Sequence, residues 1–282
     1  MSRLLPMVLS LSLALSVGSS DAAERAGSDG RDRRSHGSEG PLPHQRPAKG
    51  LVYDGLRAGR EGGPCDFGRG TGLLEIRHGG RLQGCTHGPD PAPSGIDVRD
   101  EVSTSELEQE AAAEEQMVSC VGDGVSGYRT QAIYGYPSAG VNRAKTVVPL
   151  IRRWAGTVLD PVFDASAAKT GGSRHVRFVT DPQTCRLDVD VVAMPAQAVD
   201  SFGSTIAHLE NLGYTAPNRK FVVWMDANIY CGVGEMYLDD DPTQANFNNG
   251  HPAIPGMIAR VDSGCWGRTS GTPVEAHELM HN

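Results

Sequence analysis

The sequence predicts an α+β fold, α/β-layered, with helices packed on a mixed sheet. Three observations carry this. The runs "HVRFVTD", "RLDVDVVAMP" and "KFVVWMDANIY" have the β-branched and aromatic content of buried strands. Val147, Ile151, Trp154, Val158 and Val162 recur at helical spacing within residues 142–163, which makes a long amphipathic helix. The order is strand, long helix, several strands and a terminal helix, which suits helices layered on a sheet.

The first residues predict export. Arg3 precedes an apolar run over residues 4–17, followed by the small residues "GSSDAA". That is the layout of a signal peptide over residues 1–23, cut near Ala22 or Ala23, and the run is too short to span a bilayer. A secreted, extracellular protein meets an oxidising space. The six cysteines, Cys65, Cys85, Cys120, Cys185, Cys231 and Cys265, are then candidates for up to three disulfides, with connectivity left open. No later segment is apolar for long enough to hold the mature protein in a membrane.

Residues 24–63 are Gly, Pro, Ser and charge with almost no apolar periodicity, so they read as a disordered linker or pro-segment. Residues 64–118 form a small cysteine-bearing region and an acidic connector. In it, "TGLLEIRHGGRLQGC" reads as a hairpin around a Gly79-Gly80 turn that Cys65 and Cys85 could close. "THGPDPAPSG" breaks regular structure, and "TSELEQEAAAEEQM" is a short acidic helix with a solvated face. The main domain occupies residues 119–282. "GYRTQAIYGY" opens it as a strand, the long helix follows, and a helix near residues 201–212 separates the second of the three strands from the third. "MIARVDSGCW" adds one more strand before the terminal helix.

Composition narrows the function. A net charge of -8 with no basic stripe argues against a nucleic-acid partner. There is no glycine-rich phosphate loop followed by Lys-Ser/Thr and no internal repeat.

The terminal "PVEAHELMHN" carries the chemistry. Thr272 suits an N-cap, Pro273 the first helical position, and Glu275, three residues after Thr272, a capping box. Helical spacing then puts His277 and His281 on one face, where both imidazoles can ligate one zinc ion. Glu278 flanks the ion as the general base, taking a proton from water and passing it to a leaving amine. The reaction class is hydrolysis of a peptide bond, so the partner is a protein or peptide substrate and the cofactor Zn2+.

The stretches "CTHGPDPAP", "CVGDGVSGYRTQAIYG", "NRKFVVWMDANIYCGVGE", "ARVDSGCWG" and "HELMHN" resemble a group of secreted actinobacterial proteins of zincin type. The resemblance spans about residues 85–282. It implies a zincin-like mixed sheet with His277 and His281 as ligands and Glu278 as base. In that group the helix continues into a Leu-Gly turn and a further histidine-bearing segment. The expectation is therefore a fragment: a third ligand beyond Asn282, a missing C-terminal subdomain, and weak zinc binding and poor catalysis in the chain as it stands. The alternative is a secreted non-catalytic binding module on the same scaffold.

Other residues have plainer readings. Asp239, Asp240 and Asp241 beside Asn246, Asn248 and Asn249 form an oxygen-rich loop that could hold Ca2+, although a solvated turn is preferred. Cys65 or Cys85 could cap the zinc as a thiolate from an N-terminal pro-segment, but disulfide pairing is preferred. His78, His175, His208 and His251 have no partner at metal-binding spacing, and Trp154, Trp224 and Trp266 read as packing residues.

Overall fold

Alternate residues of a strand face opposite sides of its sheet. In the main sheet of this protein both sides are apolar. Tyr134, Val222, Trp224 and Val261 enter one core, and Ile133, Phe221, Val223, Met225 and Ile258 enter another. A sheet buried on both faces needs a covering layer on each. The computed structural model describes residues 53–66, 72–100, 102–111, 118–239, 246–248, 250–268 and 273–282; the expected signal peptide lies outside them.

A small antiparallel sheet comes first: β1 (Leu56–Ala58), β2 (Leu74–His78) and β3 (Arg81–Thr86), in that order. Gly79 and Gly80, with φ of 55° and 80°, make the β2–β3 turn, where both central residues need the left-handed region. The hairpin is as expected. β1 is an addition inside the stretch read as linker; its three residues, Leu56, Arg57 and Ala58, are too few to show a periodicity.

The main sheet has the order β5-β4-β6-β8-β7, with β4 (Arg129–Pro137), β5 (Val189–Met194), β6 (Arg219–Met225), β7 (Gly232–Gly234) and β8 (Ile258–Asp262). Four strands run parallel, and β7 is an antiparallel edge strand paired with β8. The stretch "HVRFVTD" is not a strand of this sheet. Its backbone pairs with β4 through a single bridge, Thr130 to Phe178, because β5 takes that edge of β4 from Ala132 onward.

The described acidic helix is α1 (Thr104–Ala111), and a capping box starts it: Ser103 Oγ accepts the Glu106 N–H at 3.2 Å, and Glu106 Oε2 accepts the Ser103 N–H at 2.9 Å. The long helix is α2 (Ala144–Trp154), a π turn (Ala155–Leu159) and α3 (Asp160–Ala168) in succession, so it extends past the expected end. Pro161 has no N–H to offer the carbonyl four residues back, which suits a change of helical register there. This helix covers one face of the sheet together with α6 (Val274–His281). The other face is covered by α4 (Ala196–Asp200), α5 (Phe202–Asn211) and Ile76 of the small sheet.

All six cysteines are paired, as Cys65–Cys85, Cys120–Cys185 and Cys231–Cys265. Three cystines point to an oxidising environment. Among the described residues no helix is long and apolar enough to cross a membrane.

A buried ion pair sits on the side of the second core. Arg260 and Asp262 are fully buried on β8, with Arg260 Nε 2.7 Å from Asp262 Oδ1. Arg260 also donates to Thr205 Oγ1 at 2.9 Å and lies over the ring of Tyr230 at 4.6 Å. Asp262 Oδ2 accepts the N–H groups of Ile229 and Tyr230.

Candidate metal centre

Helix α6 is placed by its apolar side: Val274, Ala276 and Leu279 join the first core. Its start differs from expectation. Pro273 is the N-cap, and Glu275 does not reach back to cap the helix. Glu275 turns inward, fully buried, and accepts the Gly267 N–H at 2.6 Å; burial pushes its carboxyl up to about 7. Thr272 lies outside the described residues.

The one-turn spacing brings His277 and His281 together, with their Nε2 atoms 3.0 Å apart. A third imidazole joins them from 194 residues earlier. His87, in the loop after β3, places its Nε2 2.8 Å from His281 Nε2. The same loop carries Asp90, whose Oδ2 lies 2.8 Å from His277 Nε2. The loop is held at both ends: Cys85 is bonded to Cys65, and the Asp90 N–H donates to Gly232 O on β7 at 2.9 Å.

Glu278 faces β7. Its carboxyl is fully buried, and neither oxygen has a hydrogen-bond partner. Gly232 and Gly234 make room for it. A Cβ at Gly232 would overlap Glu278 Oε1, and one at Gly234 would meet Glu278 Oε2 at 3.0 Å. Between them Val233 points the other way, into the second core.

The donor set fits a cation. Each imidazole nitrogen offers one N–H or one in-plane lone pair, so His281 Nε2 cannot satisfy both neighbouring Nε2 atoms with hydrogen bonds. A metal at the centre would take a lone pair from each. Imidazoles bound at 2.0 to 2.1 Å around a tetrahedral ion stand roughly 3.3 Å apart, close to the spacings seen. The donor atoms of His87, His277 and His281 lie within 4.8 Å of one another, and so do those of His87, Asp90 and Glu278.

Electrostatics in the metal-free cluster follow from burial and crowding. Burial, then the neighbouring His87 and His277, lowers His281 to about 4, so its ring is neutral, as a ligand must be. His87 is lowered by burial, whereas the hydrogen bond with Asp90 raises His277. Burial would raise Asp90, but the hydrogen bond with His277 and the Glu278 carboxyl nearby outweigh that and hold it low. Glu278 is raised well above the usual carboxylate range by burial, with the charge of Asp90 adding to it.

The remaining sequence candidates sort plainly. Cys65 and Cys85 are bonded to each other and offer no thiolate. His78 contacts Ser204, His175 contacts Asp160, His208 contacts Ala193 O, and His251 stacks on Phe247. Trp266 packs against Trp154 and donates to Val261 O. In the proposed calcium loop, Asp239 accepts the Phe247 N–H and Asn248 bonds Tyr237 and Asp239, while Asp240, Asp241 and Asn249 lie outside the described residues.

His87 and Asp90 were missed by sequence reasoning. The available signal was "CTHGPDP", a His and an Asp three apart, stiffened by Pro89 and Pro91 and rooted at a cystine. A separate cavity of about 520 Å3 includes Arg143 and Asp226 in its lining, but these are paired with each other and no residue of the histidine cluster lines it. Comparison with protein families, with curated proteins and with solved structures finds no match to this chain.

Proposed function

We propose that this protein is a secreted zinc-dependent peptidase of zincin type, with His277 and His281 as metal ligands and Glu278 as general base. The observation that carries the reading is Glu278: a buried carboxyl with no hydrogen-bond partner, beside three converging imidazoles. Structural carboxylates are paired; an unpaired one next to a metal-type donor set is suited to moving protons. A mixed sheet with the H-E-x-x-H helix packed on β7 and β8 is in keeping with the zincin resemblance.

When bound, zinc supplies Lewis acidity, polarising a carbonyl and acidifying water. The chain supplies the rest. Glu278 takes the proton of the attacking water and delivers it to the departing amine. An extended peptide could add to the edge strand β7, beside α6, once the Asp90 N–H leaves the Gly232 carbonyl, and a scissile bond would then lie along α6.

The test is Glu278→Gln. Zinc-dependent cleavage of quenched-fluorescent peptides should fall by about a hundredfold or more, with zinc content unchanged. Equal cleavage by the variant would leave the non-catalytic binding module as the better reading.

A further inference from the structure

The geometry points to a metal site closed from within the chain: the loop at residues 87–90 supplies His87 as third ligand and Asp90 as fourth. This rests on the metal reading above and goes beyond it, because the two histidines of α6 were expected to find their partner downstream. Three features support it.

The first is convergence. His87 Nε2 lies 2.8 Å from His281 Nε2 and shares one donor group with both α6 imidazoles, and Asp90 Oδ2 lies 2.8 Å from His277 Nε2 at the edge of that group. The second is construction. The loop is fixed by the Cys65–Cys85 cystine before it and by the hydrogen bond from Asp90 to Gly232 after it. A ligand 194 residues away from its partners needs such anchoring to be held in register. The third is occupancy of the edge. Asp90 forms an antiparallel bridge with Gly232, so the loop takes backbone groups of β7 that an extended peptide would use.

The consequence follows from coordination number. Catalytic zinc has three protein ligands and an open position, whereas four protein ligands close it. With Asp90 in the fourth place the resting site is closed, and a substrate must displace the carboxylate and the loop.

Two measurements on the full chain test this. In chelator competition for zinc, His87→Gln should weaken binding by more than the roughly tenfold to hundredfold that outer contacts carry. His87→Glu, which restores a donor of the same reach, should recover part of the loss, which a packing role would not. With cobalt in place of zinc, the visible spectrum of the parent should ignore added azide, while that of Asp90→Ala should shift as azide enters the vacated place. The inference is overturned if His87→Gln binds zinc as tightly as the parent, or if azide shifts the parent spectrum as it shifts that of Asp90→Ala. His277→Gln and His281→Gln separate this failure from the larger one. If they too leave zinc affinity unchanged, the metal reading itself fails.

Discussion

Arg260 and Glu278 are equally buried, and the fold treats them in opposite ways. Arg260 has its guanidinium engaged by Asp262, Thr205 and the ring of Tyr230, and Asp262 in turn gathers two backbone N–H groups. Glu278 has no donor on either oxygen, and the charge that acts on it, Asp90, is another carboxylate. Where this ion pair serves architecture, its charges are met by partners. Where a buried carboxyl has none, the residue is kept for a reason other than stability.

The largest effect should come from breaking the satisfied site. Asp262→Ala strands Arg260 and two N–H groups in the core, and should cost about 3 to 5 kcal/mol in urea unfolding. A loss below about 1 kcal/mol would mean that the pair is not architectural. The next effect comes from crowding the unsatisfied site. Gly232→Ala drives a methyl into Glu278 and Val274, for a cost of about 1 to 3 kcal/mol; Gly234→Ala, with more room, should cost less in the same melt.

Glu235 sharpens the comparison through pH. It is fully buried and accepts one N–H, from Ile258, and burial pushes it up to about 8 from 4.5. The folded state keeps a proton that the unfolded chain releases, so stability falls as pH rises from about 4.5 to about 8. Glu235→Gln should remove that slope, and parallel melting curves for parent and variant across the range would contradict it. The smallest effect is expected at Glu278 itself. Near pH 5 the buried carboxyl already carries its proton, and metal-free Glu278→Gln should shift stability by less than about 0.5 kcal/mol. A penalty like that of Asp262→Ala would place both residues in one class.

What the sequence disclosed divides along the same line. β4, β6 and β8 were legible because each sends apolar residues into the cores on both faces, and the β2–β3 hairpin because Gly79-Gly80 permits one kind of turn. β7 was not legible. Its "GVG" has one core residue, and its glycines answer to a helix more than forty residues on. The capping box was placed at the wrong helix, since Glu275 is drawn into the core toward Gly267 while Ser103 and Glu106 form the pairing at α1. His277, Glu278 and His281 declared themselves by helical spacing. His87 could not, because its partners are joined to it only through the tertiary fold.

The cystine between Cys65 and Cys85 also sets an order of events during biogenesis. A chain with these thiols still reduced keeps only the Asp90–Gly232 hydrogen bond to seat residues 87–90 against α6, so loading of the proposed metal site would follow oxidation of that one pair. Possession of the ion would then report that maturation near the amino-terminal sheet is finished.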